Sequence, residues 1–208
     1  MFYYLRILLL LISSLPIYAT NCEKQKTPAV EFKVDYGEVA YKKADRSFLS
    51  NRGTDHTNGL TASKFQMSYR MRVQAKNDCI FLNSLTVSYG YNELIVYILD
   101  KYHEDSCEYK EILAHENNHV FVHQDVLRRY EEKFTKAFEA IMEEVEPVPF
   151  KIGDKDIEKK MNAIMLKIKN DPRLEELENS FNKERKDDNS SLDKTENYKI
   201  ITSKCENW

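Results

Sequence analysis

The chain has no pair of cysteines at Cys-x-x-Cys spacing, no long apolar run and no excess of either charge. The first absence argues against a structural zinc knuckle, which draws its ligands from such pairs. The second excludes a membrane-spanning helix, which needs roughly 20 consecutive apolar residues. The third follows from 31 Lys and Arg against 34 Asp and Glu, a net charge of -3, so nothing marks nucleic acid or an anionic lipid surface as a partner. Glycine and proline are also missing from residues 105–146, which leaves one long stretch with nothing to break a helix. What is present suits one globular domain with a smaller appendage: 208 residues, 42% of them hydrophobic.

The amino terminus reads as a secretory signal, with Arg6, an apolar run over residues 7–12 and a cleavage region ending at Ala19. Residues 1–19 are therefore assigned to a signal peptide. The mature chain is expected to be exported, periplasmic or secreted, with no stable membrane span after cleavage. Asn21 stands where a small residue should precede a lipidated Cys22, which argues against a lipoprotein. The four cysteines, Cys22, Cys79, Cys107 and Cys205, then favour disulfides. Three connectivities are possible. The preferred one joins Cys79 to Cys107 and, by elimination, Cys22 to Cys205; the alternative leaves Cys22 and Cys205 free on mobile tails.

Residues 30–36 alternate and predict a short first strand, and residues 47–63 are rich in turn-forming types and predict a loop containing His56. From Phe65, the residues Phe65, Met67, Tyr69, Met71 and Val73 alternate with Gln66, Ser68, Arg70, Arg72 and Gln74. Asn77 and Asp78 supply a turn, and the chain runs back from Cys79 with Phe81, Leu85, Val87 and Tyr89 inward, which predicts a long antiparallel hairpin. A further strand is expected over residues 93–102. A helix then begins near Asp105 and Glu108, a capping-box spacing, and continues to the Pro147-Val148-Pro149 stop. Its inward stripe runs through Ile112, Val120, Leu127, Tyr130, Phe134, Phe138 and Ile141, with Glu116 and His123 inside it and His115 and His119 along one edge. Two amphipathic helices follow; residues 183–197 are polar enough to predict mobility, and residues 198–202 suggest a small strand. The expected fold is α+β: a small antiparallel sheet packed on the long helix, with residues 20–146 as the domain and residues 147–208 as a helical C-terminal extension ending in a mobile tail.

That helix carries the one HExxH of the chain, His115-Glu116-Asn117-Asn118-His119, and a third histidine at His123. Residues four apart share a helix face, so two imidazoles can grip one zinc ion while Glu116 serves as general base towards a water. His123 is a tentative third ligand or a support for the other two. It lies about 12 Å along the axis from His115, too far for all three to share an ion on a straight helix. Glu139 would lie about 30 Å from His119 unless the helix breaks between residues 128 and 133. His103 and His56 complete the candidates. Without a metal, Glu116 would need a partner such as Arg70 or Arg72.

The order of strands, Cys79, apolar run and Cys107, followed by Glu111-Ile112-Leu113-Ala114-His115-Glu116-Asn117-Asn118-His119-Val120, resembles a family of exported bacterial proteins described as secreted zinc-dependent proteases. The likeness spans roughly residues 30–130, and the helices beyond Pro147 lie outside it. It implies a zincin-like metallopeptidase site at His115, Glu116 and His119, using Zn2+ on a peptide or protein substrate. The rival expectation is a non-enzymatic exported envelope or metal-binding protein whose histidine helix is structural.

Overall fold

The computed structural model describes residues 22–23, 26–53, 57–151, 153 and 155–208. The signal segment over residues 1–19 and His56 lie outside the described residues. Among these, the chain order is β1 (Ala29–Asp35), β2 (Val39–Ala44), α1 (Arg46–Ser50), β3 (Gly59–Lys76), β4 (Cys79–Leu99), α2 (Cys107–Glu143), β5 (Val148–Pro149), α3 (Ile157–Lys169), α4 (Pro172–Leu192) and α5 (Thr195–Thr202).

β4 is the strand on which the sheet is built. β3 pairs along its whole length as an antiparallel hairpin, turned by Asn77 and Asp78 in left-handed conformations (φ 51° and 58°). Along its other edge β4 receives β1 (Ala29 beside Ser84) and β2 (Val39 beside Leu94), both parallel, and the short antiparallel β5. The expected small antiparallel sheet of an α+β fold is therefore overturned. Parallel pairing makes up most of one side of β4, and the architecture is of the α/β type. Strand alternation shows which face of a segment is buried; it carries no mark of the direction of the neighbour.

The strand expected over residues 93–102 is the continuation of β4. Ile80 and Leu82 are buried, then Leu85, Val87, Tyr89 and Tyr91, then Leu94, Val96 and Ile98. The parity of the buried positions changes twice, at the register shifts opposite Arg72/Val73 and Lys64/Phe65. An extra residue at each bulge, Asn83 and Asn92, returns the apolar side chains to the same face of one bent strand. Gly90 sits just before the second bulge at φ 149°, where a Cβ would stand 1.8 Å from the Asp35 carbonyl oxygen. β1 can approach β4 there because that position has no side chain.

The helices cover the inward face. Ser106 caps α2 by accepting from the Tyr109 N–H at 3.1 Å, and the helix then runs 37 residues without a break. Its distal half packs Leu127, Phe134 and Phe138 on Tyr89 and Val87, and α3 and α4 close that core with Ile164, Ile168, Leu174 and Phe181. α4 lies antiparallel to α2: Arg173 pairs with Glu144, Arg129 with Glu184 and Asp188, and Asn189 meets His119. The polar stretch expected to be mobile is thus largely the second half of α4, and residues 198–202 belong to helix α5 rather than a strand. A mostly polar helix is held here by one buried side, Leu174 and Phe181, and by ion pairs to its neighbour.

Two disulfides form, Cys22–Cys79 and Cys107–Cys205, with no free cysteine among the described residues. The preferred pairing is corrected. Because β1 runs parallel beside β4, the chain just before β1 arrives at the start of β4, where Cys79 lies. Cys107 opens α2 and receives the end of the chain instead. No helix among the described residues is long and apolar enough to cross a membrane, and the two disulfides are compatible with export.

Candidate metal centre

The first half of α2 places His115, Glu116, His119 and His123 against the protein, with 8, 5, 7 and 8% of their surface exposed. Glu116 points to the start of β3, where Thr61 donates its hydroxyl to the carboxylate at 2.7 Å. Gly59 makes the room: a Cβ there would stand 2.6 Å from Glu116 Oε1. Burial pushes the Glu116 carboxyl above its ordinary pKa, and the Thr61 hydroxyl and the two neighbouring imidazoles only partly offset this.

α4 approaches from the opposite direction and ends at this point. Asp193, its C-cap residue, brings Oδ1 to 3.2 Å from His115 Nε2 and 3.2 Å from His119 Nε2, and the two nitrogens are themselves 3.2 Å apart. Three donors thus form an equilateral triangle. Donors at these spacings could hold an ion whose bonds are roughly 2.0–2.2 Å. Asp193 is about half exposed, which puts the solvent side of the centre there.

The tautomer of His119 indicates what belongs in the triangle. Asn189 donates its amide nitrogen to the Arg185 carbonyl at 2.7 Å, which turns its oxygen towards His119 Nδ1 at 2.8 Å. Nδ1 must therefore carry the proton, and a neutral His119 presents a bare lone pair at Nε2. That lone pair faces another imidazole nitrogen and a carboxylate oxygen. Electron-rich atoms gathered in this way, with the far nitrogen fixed by an amide oxygen, fit a cation. In the metal-free chain a proton can take its place. Burial lowers the pKa of His119, but the hydrogen bonds to Asp193 and Asn189 outweigh it and the net shift is upward. Burial likewise raises Asp193, yet its bonds with the two histidines hold it far below the usual carboxylate range. Tyr198 adds a hydrogen bond of 2.9 Å to the same Asp193 oxygen.

The group His115, His119 and Asp193 can hold a metal ion. No model of a protein family matches the chain, and neither a curated protein nor a solved structure does. The chemistry of the site has to be argued from its own atoms.

Of the residues singled out in the sequence, His115, Glu116 and His119 come together here. His123 stays outside the triangle; its Nδ1 is buried without a hydrogen-bond partner among the described residues, and burial lowers its pKa to about 4. His103 is exposed and paired with Asp105. Glu139 is exposed on the unbroken helix, so no bend returns it to the site. Neither Arg70 nor Arg72 is needed by Glu116, whose hydrogen-bond partner is Thr61. Sequence reasoning missed Asp193, Asn189, Thr61, Gly59 and Tyr198. The one local signal was the spacing of Asn189 and Asp193, four apart like the histidines they face, within a stretch whose polarity suggested only solvation.

Proposed function

We propose that the protein is an exported zinc-dependent metallopeptidase in which His115, His119 and Asp193 hold the metal and Glu116 is the general base. The observation that carries this reading is the 3.2 Å triangle of two imidazole nitrogens and a carboxylate oxygen, beside a buried glutamate one residue after the first histidine. Two nitrogens and one oxygen with a position left open are a donor set that suits zinc in a catalytic role. When bound there, zinc supplies positive charge that polarises a peptide carbonyl and lowers the pKa of a water towards roughly 7.

The protein's own groups do the remainder. Glu116, buried one residue after His115 and held by Thr61, is placed as the carboxylate that takes a proton from the attacking water and passes it to the leaving amine. Thr61 holds one carboxylate oxygen, and the other lies against Gly59. Asn189 keeps His119 in the tautomer that binds metal, and Tyr198 orients Asp193. The test is metal content followed by turnover. The mature chain should bind one zinc per molecule, and Glu116→Gln should retain the metal while losing hydrolysis of a peptide mixture read by mass spectrometry. A chain with no stoichiometric zinc would end this reading.

The burial of both histidines favours a second reading, an exported protein that captures a metal without turning over a substrate. In that case Glu116→Gln changes neither metal binding nor any product profile.

A further inference from the structure

Between α2 and α5 lies a cleft of about 250 Å3 that ends against His115. Its walls are Ala114 on one side and Leu192, Ile200 and Ile201 on the other. Its charged members are already matched: Lys204 pairs with Glu111 at 2.6 Å. The amide nitrogen of Asn197 is used by the Ser191 and Leu192 carbonyls at 3.0 and 3.1 Å. The outer wall is held firmly although α5 has no buried residue of its own. Cys205 is bonded to Cys107, the Asn207 N–H donates to Glu108 at 2.9 Å, and Trp208 meets Tyr102 edge to face. Ile200 is nevertheless 58% exposed, an apolar side chain kept at the mouth of a cleft that opens on a metal ligand.

We propose that this cleft receives a branched aliphatic side chain adjoining the bond to be cut, so that the substrates are peptides with Leu, Ile or Val at that position. The proposal rests on the metallopeptidase reading above. A substrate carbonyl placed at the open position of the triangle has His115 beside it, and the side chain next to that carbonyl has the cleft within reach. Apart from the exposed Asn118, the walls are apolar with their charges paired, and a charged side chain buried there would go uncompensated. Each buried methylene adds to affinity, and pockets of this kind distinguish substrates by about 10–200-fold per group. The wall that selects comes from α5, in the part of the chain outside the family resemblance.

The test uses the zinc-loaded full chain and two dipeptide hydroxamates, identical except for isobutyl or hydrogen on the carbon next to the chelating group, with Kd measured by calorimetry. The isobutyl compound should bind at least about tenfold more tightly. Ala114→Leu fills the cleft from an exposed helical position and should bring that ratio close to one, leaving zinc stoichiometry and the Kd of the hydrogen compound unchanged. Ile200→Asp should do the same from the opposite wall. Equal binding of the two compounds to the unaltered protein overturns the cleft assignment and leaves the metal centre standing, as does a ratio that survives both substitutions. Absence of stoichiometric zinc overturns the metallopeptidase reading, and this proposal with it.

Discussion

The two halves of α2 belong to one unbroken helix with one continuous inward face, yet the distal half buries apolar and aromatic side chains while the proximal half sets ionisable ones beside Ile112 and Val120. From Val126 to Met142 that face is Val126, Leu127, Tyr130, Phe134, Phe138, Ile141 and Met142. Before it come Glu108, His115, Glu116, His119 and His123, which are all the buried charged or imidazole side chains among the described residues. The distal half gains stability from apolar burial, whereas the proximal half gives some up, since buried ionisable groups need partners that cost order elsewhere. α4 follows the same division in reverse, giving Phe181 to the distal core and Asn189 and Asp193 to the polar end. The lesson is that one pair of antiparallel helices can separate the work of holding the fold from that of holding an ion.

That contrast can be broken at either end. The largest expected effect on the fold is at Phe134, fully buried between Tyr89 and Phe181: Phe134→Ala should cost about 3–5 kcal/mol in urea unfolding. Asp193→Ala should act chiefly on the metal. It should weaken zinc affinity by more than about 100-fold in a chelator competition, beyond the usual effect of losing a supporting residue, with a smaller drop in the metal-free unfolding midpoint from the lost bonds to His115, His119 and Tyr198. If zinc affinity survives Asp193→Ala, the third donor has been misplaced. Asn189→Ala should weaken zinc by about 10–100-fold, because His119 is then free to carry its proton on Nε2.

The smallest effect sharpens the comparison through pH. Glu116 has a pKa above that of the unfolded chain, so the folded state binds its proton more tightly. Its ionised form therefore weighs against folding at neutral and alkaline pH, and that burden fades as pH falls through the raised folded-state pKa and is gone below the ordinary carboxylate range. Glu116→Gln should raise the stability of the metal-free protein at pH 7 by about 1 kcal/mol or less, with the gain vanishing near pH 3. An equal gain at both pH values would show that the carboxylate is not strained by burial.

Part of the site was legible because its geometry is local. The i, i+4 spacing of His115 and His119 fixes their common face whatever the helix packs against, and the inward stripe already placed Glu116 towards the protein. The hairpin was legible for the same reason: Asn77 and Asp78 accept left-handed backbone, and the flanking alternation needs no distant partner. Where alternation changed parity, at Asn83, Phe81 was read as inward in place of Ile80 and Leu82, and at Asn92 one bent strand read as two. The polar end of α4 looked solvated because its reason for being ordered, the contact with His115 and His119, is 70 or more residues away.

The sequence by itself determined that a helix would present two imidazoles and a carboxylate on its buried side, since local sterics and hydrogen bonding set helical spacing. The tertiary structure decided the third donor, the tautomer of His119, the parallel strands beside β4 and both disulfide pairings. Each of these is a contact between segments whose separation in the chain leaves no periodic trace, so only the packing of α4 on α2 and of β1 on β4 brings the atoms together.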